Sequence, residues 1–409
     1  MTTAPSAWAT ATTLTHGGRP TGAAVTVNPV VARTSTVVFD SMATLQASLD
    51  AHQAGQRPLL YGRKGTSTSH ALEDVVARLE GAHACKLFGS GLAAIACTFL
   101  AFTRPGDHVL VIDTCYEPVR KLCAHYLAQR SVQVDYFSPN LSDLAHKIRP
   151  ETRLIWVETP GSLVYEMCDL PALVRIARAH ENEAGSIRVA VDNTWGSAML
   201  YHPLALGADV SVIAGTKYLV GHSDAMLGCV STSESAWPTL HGTVELLGHS
   251  ISADDAYLAL RGMRTLAVRL AHQAGSSLEI AKWLQQQALV YRVHTPMLPD
   301  DPGHALWKRD FVGGNGLLSI EFYAGVGMVD ACAFCDALQI FGLGHSWGGY
   351  ESLALPVHVA GARSLSRWEE RGAVVRLHIG LEDTQDLQQD LLLGLSALAD
   401  RLGQARPDS

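Results

Sequence analysis

The stretch DVSVIAGTKYLVGHSD (209–224) opens as a β-branched run, passes through Gly215 and sets a single lysine, Lys217, ahead of Gly-His-Ser-Asp. The run Val210–Ile213 reads as a strand. Lys217 then falls at the strand's carboxyl end, and it is the only lysine between positions 148 and 281. Alone, such a lysine fits a stem lying on apolar surface with its amine in water. Upstream, HVLVID (108–113), VQVDYF (132–137), RLIWVE (153–158) and IRVAVDN (187–193) read as further strands. Between them, EPVRKLCAHYLAQR, NLSDLAHKIRP and DLPALVRIARAHENE carry the helical period. Strand–helix alternation of this kind predicts an α/β fold with a mostly parallel sheet between helices. Residues 1–69 show little periodicity and read as an arm. From about 252 a long helical pattern begins, followed by the strands LLSIEF and VVRLHIG and a last helix from Asp383, which predicts a smaller α/β unit.

A chain of 409 residues with 47% hydrophobic and 17% charged residues is built to bury a large core. Its net charge of −8 and lack of a Lys/Arg stripe argue against nucleic acid as a partner. The eight cysteines are scattered through apolar segments, as in a reduced cytoplasmic protein. Cys332-Ala-Phe-Cys335 has metal-like spacing but no second pair, and reads as a helix with both sulfurs buried. No metal is expected. The N-terminus lacks the basic start and apolar run of a signal peptide, and Leu87–Thr103 is too short and glycine-interrupted to cross a membrane.

Ligands of a parallel sheet collect at the carboxyl ends of its strands. KLFGSGLAAI (86–95) reads as strand, Gly-Ser-Gly turn and helix start, whose first amides suit a phosphate. The same residues fit GxGxxA with Asp113 ending the next strand, the pattern of a dinucleotide site and a nicotinamide-dependent oxidoreductase. Asp192 ends a buried strand, where a carboxylate needs a cation or several donors; capping the turn at Asn193 and Thr194 explains it equally well. Tyr116 follows the strand 108–113, as pocket aromatic or loop packing. Arg376, inside a β-branched run, needs an anionic partner, either a ligand carboxylate or a salt bridge. Trp347, in HSWGGYESL, reads as a pocket wall. One chemistry employs a lysine amine, an anion-binding helix start, a strand-end carboxylate, an aromatic face and a carboxylate-binding arginine together: that of pyridoxal phosphate. The dinucleotide reading leaves Lys217 and Arg376 without a task.

The motifs YGRKGTSTSHALEDVVARLEG (61–81), YEP (116–118), VDNTW (191–195), TKYLVGHSDAMLG (216–228), RGMRTLAVRL (261–270), GHSWGGYESL (344–353) and RLHIGLED (376–383) resemble the Cys/Met-metabolism pyridoxal-phosphate enzymes. KYLVGHSDAM and SWGGYESL point within that family to its bacterial cystathionine β-lyase branch. The resemblance implies the fold-type-I architecture of the aspartate aminotransferases, with a mostly parallel seven-stranded sheet. It divides the chain into an N-terminal arm (1–67) reaching a neighbouring subunit, a cofactor-binding domain (68–262) and a C-terminal domain (263–409).

It also implies roles. Lys217 holds pyridoxal 5'-phosphate and shuttles protons, Asp192 pairs with the ring nitrogen, and Tyr116 stacks on the ring. Gly91, Leu92 and Thr216 grip the phosphate, joined by Tyr61 and Arg63 from a second subunit. A dimer is therefore needed and a homotetramer expected. Arg376, Ser346, Trp347 and Tyr61 receive an amino-acid thioether. The implied reaction is β-cleavage of cystathionine in methionine biosynthesis. Desulfhydration of cysteine, γ-elimination and γ-replacement stay open, because the pocket decides among them. Three positions depart from the family pattern: Ala214 where serine is common, Leu92 where methionine is, and Glu245 where the β-lyases can carry tyrosine.

Overall fold

A computed structural model describes residues 8–181 and 185–404. The first seven residues of the expected arm, residues 182–184 and the last five positions lie outside the described residues. Seven strands form the larger sheet: β1 (Ala84–Phe88), β2 (His108–Ile112), β3 (Gln133–Phe137), β4 (Thr152–Glu158), β5 (Arg188–Asp192), β6 (Val210–Ile213) and β7 (Gly228–Thr232). Their order is β3-β2-β4-β5-β6-β7-β1, and only β7 runs against its neighbours. Every residue of β2, β6 and β7 is buried, and HVLVI of β2 accordingly reads as a near-continuous apolar run. The periodicity found six of them. The seventh, GCVST, is short and weakly hydrophobic, and its place in the sheet comes from pairing along its whole length with β1 and β6.

Beyond them, β8 (Val290–His294), β9 (Leu317–Phe322), β10 (Gly342–Leu343), β11 (Leu353–Val357) and β12 (Val374–His378) make a second sheet in the order β10-β11-β12-β9-β8, antiparallel except for β10. The helical pattern after 252 is broken in two, Ala253–Met263 and Leu266–Leu284. The longer helix joins two cores: Leu266 and Leu270 pack with the large sheet, Ile280, Ala281 and Leu284 with the small one. The segment expected to be a plain arm contains helices Thr10–His16 and Met42–Gln53; the second buries none of its residues.

Cys332 and Cys335 share the helix Met328–Asp336, as their spacing predicted. The expectation that both sulfurs are buried is corrected: Cys335 is buried, whereas Cys332 faces solvent. Among the described residues, no His/Cys/Asp/Glu cluster has the geometry to hold a metal, and no helix is long and apolar enough to cross a membrane.

Candidate active site

Three strand ends build the site from below. Asp192 closes β5, in register with Glu158 at the end of β4. Lys217 follows β6 after a tight turn in which its amide donates to Ala214 O at 3.1 Å. Thr194 links the two loops, its hydroxyl taking the Ala214 amide at 2.9 Å. Arg269 fixes the lysine turn from behind: it is buried, and its Nη2 donates to Tyr218 O at 2.8 Å and Gly262 O at 2.9 Å. Burial lowers the pKa of this guanidinium to about 10.

The second sheet supplies the roof. Ser346 lies in a loop with φ +79°, and its hydroxyl receives the Lys217 Nζ at 2.6 Å. Its carbonyl accepts from Arg376 Nη2 at 3.0 Å. The Trp347 ring centroid lies 5.1 Å from Lys217 Nζ. Gly348 makes this approach possible, for it has φ +89° and a Cβ there would meet the Lys217 carbonyl carbon at 2.9 Å.

Charge in this pocket is poised rather than paired. Burial and the Arg376 charge, against the pull of Asp192, lower the Lys217 amine to about 8. Burial raises the Asp192 carboxyl above its ordinary value; it accepts the Thr194 amide at 3.0 Å and forms no ion pair among the described residues. The anionic partner expected for Arg376 is likewise absent among the described residues, leaving the Ser346 carbonyl as its acceptor. Burial and the Glu158 carboxylate raise the Tyr116 phenol, which keeps it protonated.

The turn at 89–92 lies at the same edge. Ser90 caps the helix Gly91–Phe102 by accepting the Ala93 amide at 3.1 Å. The Gly91 and Leu92 amides, one turn short of intrahelical acceptors, have none among the described residues. Gly91 is required there, because a Cβ would fall 2.4 Å from the Ala214 Cβ. Ala214, where a serine hydroxyl was the common expectation, is thus the floor on which this helix rests. The Thr216 hydroxyl is held by Leu227, taking its amide at 2.8 Å and donating to its carbonyl at 3.1 Å.

Asp113, which the dinucleotide pattern would aim at a ribose, is fully engaged elsewhere. It pairs with Arg120 and accepts from the Ser364 hydroxyl and from the Ser364 and Leu365 amides at 2.9 and 3.0 Å. Tyr61 and Arg63 do not join Lys217 within the chain. They line a separate cavity of about 490 Å³ with Lys64 and Glu245, where Lys64 and Glu245 form an ion pair and Arg63 reaches the Glu245 carbonyl.

Sequence reasoning missed Glu158 and Arg269, whereas the Asp192 contact with the Thr194 amide is the capping it had offered as the alternative. Glu158 had a visible signal, ending a buried strand just as Asp192 does. Arg269 had its place in an apolar helical run and in the motif RGMRTLAVRL, neither of which assigns it a role.

Among the described residues, an amine poised near neutrality, a buried carboxylate in no ion pair, helix-start amides without acceptors and an arginine with only a carbonyl to hold match the donor set that pyridoxal phosphate needs. The fold and site define a fold-type-I pyridoxal-phosphate enzyme. Residues 11–396 match the family profile described as Cys/Met metabolism PLP-dependent enzyme, and the chain belongs to that family. It is 47% identical over 382 residues to a cystathionine β-lyase of Bordetella avium, covering 93% of this chain and 94% of that one. With a cystathionine β-lyase of Escherichia coli K12 it shares 40% identity over 376 residues, 91% of this chain and 94% of that one. The crystal structure of metB from Corynebacterium glutamicum superposes with a TM-score of 0.86 at 30% identity, over 97% of this chain and all of that one (100%).

Proposed function

We propose that this protein is a carbon–sulfur β-lyase that converts L-cystathionine and water to L-homocysteine, pyruvate and ammonia. The observation that carries the reading is Lys217, an amine lowered to about 8 between Asp192 and Arg376. The likeness to cystathionine β-lyases at 40–47% identity supports the choice of substrate.

Pyridoxal phosphate, when bound, supplies an electron sink for the charge that develops at the substrate Cα. In this reading Lys217 is its covalent anchor and Asp192 holds the proton on its ring nitrogen. Tyr116 covers one ring face, while the Gly91 and Leu92 amides and the Thr216 hydroxyl face its phosphate. Arg376 exchanges the Ser346 carbonyl for the substrate carboxylate, a stronger charge-assisted and bidentate partner. Ser346 and Trp347 would orient the amine of Lys217 once the substrate's own amine has displaced it, and its neutral fraction near pH 8 suits the freed amine to remove the Cα proton. The Cα–H and Cβ–S bonds break and a Cα–Cβ double bond forms. The departing thiolate takes a proton from Lys217 or from the protonated phenol of Tyr116. Water then releases ammonia and leaves pyruvate.

The separate cavity of Tyr61 and Arg63 supports the further reading that these residues complete a neighbouring subunit's site, Tyr61 touching the substrate as well. The assembly is then a homo-oligomer of at least two chains, with pairs of dimers as the working arrangement, in the cytoplasm. On the same reading residues 1–67 are the arm, 68–262 the cofactor-binding domain and 263–409 the C-terminal domain.

Lys217→Ala tests the assignment. It should abolish both the borohydride-reducible cofactor adduct and pyruvate formation, and undiminished lyase activity would refute it. Assaying homocysteine plus pyruvate against cysteine plus 2-oxobutyrate from cystathionine separates β- from γ-cleavage.

A further inference from the structure

Glu158 stands between the two residues whose placement the pyridoxal-phosphate reading depends on. On one side it is in register with Asp192 of β5. On the other, its Oε2 accepts the Tyr116 amide at 2.5 Å.

Tyr116 is the N-cap of a short helix, Glu117–Lys121, and makes no side-chain cap of its own. In a capping box the N-cap amide is satisfied by an acidic or amide side chain at the third helical position. That position is Val119, which offers no acceptor. Pro118, just before it, makes the turn stiff without adding one. The acceptor comes instead from β4, the strand paired with β2, from which the Tyr116 loop emerges. The box is closed across the sheet.

We propose that Glu158 is a positioning residue: by accepting the Tyr116 amide it fixes the Tyr116 ring over the place where the cofactor ring lies. The inference rests on the pyridoxal-phosphate reading and assigns Glu158 no contact with substrate. The groups that face it are Asp192 on β5, Tyr116 on the loop, and Arg363 and Glu166 beyond. Arg363 is committed to Glu166, at 3.0 and 2.8 Å, and to Ser162 O at 2.6 Å, so it supplies Glu158 with no competing partner. Burial and the neighbouring Asp192 hold the Glu158 carboxyl well above its ordinary value. An amide side chain of the same shape therefore has the oxygen that this place requires.

The test is the affinity of the apoprotein for pyridoxal phosphate, followed by tryptophan fluorescence, in four variants. Glu158→Ala should weaken binding about tenfold, as expected for loss of a buried hydrogen bond to a charged or polar acceptor. Glu158→Gln should restore affinity to within about threefold of the parent. In a Tyr116→Ala background, Glu158→Ala should add less than about threefold, because the residue it positions is gone. A tenfold loss that persists undiminished in that background overturns the proposal, as does a Glu158→Gln as weak as Glu158→Ala. Should Glu158→Ala not fold, Glu158→Gln decides alone: affinity within threefold supports the inference and a tenfold loss refutes it. If the parent protein binds no pyridoxal phosphate, the cofactor reading fails first, which separates the two failures.

Discussion

Asp113 and Asp192 are both aspartates at the carboxyl edge of one sheet, and both are buried. The first is saturated: Arg120, the Ser364 hydroxyl and the amides of Ser364 and Leu365 converge on it, and these partners hold its carboxyl below the ordinary value of 3.8 against the opposing effect of burial. The second has the Thr194 amide and hydroxyl and the charge of Lys217, and burial raises it above 3.8. A folded protein that supplies three kinds of donor to one aspartate and leaves its neighbour short of charge has used the first to tie its lobes together. The second it has kept for a partner that arrives later.

The comparison is most exposed to a change at Asp192. Asp192→Asn should lower kcat/KM for cystathionine cleavage by about a thousandfold, the scale of losing a preorganised charge at the reacting group. The same change should raise the melting temperature of the apoprotein at neutral pH. A carboxyl whose folded value is raised contributes most stability below its ordinary value and loses it as pH rises through the folded one. The gain should therefore vanish below about pH 4.

Asp113→Asn should do the reverse, destabilising by about 2–3 kcal/mol through a broken buried network while leaving the cofactor absorption unchanged. Its carboxyl is lowered, so the stability it contributes is present above the ordinary value and lost as pH falls through the folded one; parent and variant should converge in acid. Equal melting curves for both variants at neutral pH would break the contrast.

The smallest effect concerns Lys217. The rate of apoprotein reaction with pyridoxal phosphate should rise with pH through a midpoint near 8. Arg376→Gln should move that midpoint upward, because it removes a neighbouring positive charge.

The same pair of aspartates marks what can be read from a sequence. Asp192 was legible because it ends the apolar run Val189–Val191 and its position at the strand end is a local fact. Asp113 was equally visible, but its meaning depends on Ser364 and Leu365, about 250 residues further along the chain. The dinucleotide pattern therefore stayed open until the fold closed it. The strand–helix alternation from 108 to 213 carried the larger sheet, since β-branched runs separated by helical patterns define a parallel sheet even where one strand, QVDYF of β3, is partly exposed. GCVST was hidden because its five residues draw their burial from β1 and β6 rather than from their own hydrophobicity. The roles of Glu158 and Arg269, as opposed to their positions, were obscure for a related reason: their partners are main-chain groups, which have no letter in a sequence. The solvent exposure of Cys332 depends on which face its helix turns to the core, and i, i+3 spacing does not settle that.

The start of the helix at Gly91 has an evolutionary consequence. A grip made from main-chain amides passes unchanged through substitutions of the side chains that carry them, so Leu92 is free to drift among residues of many shapes. Gly91 is not, since a single added carbon would collide with Ala214. Selection at this edge of the sheet thus falls on the absence of an atom. The lineage can exchange what projects from the turn while the space beneath it stays closed to change.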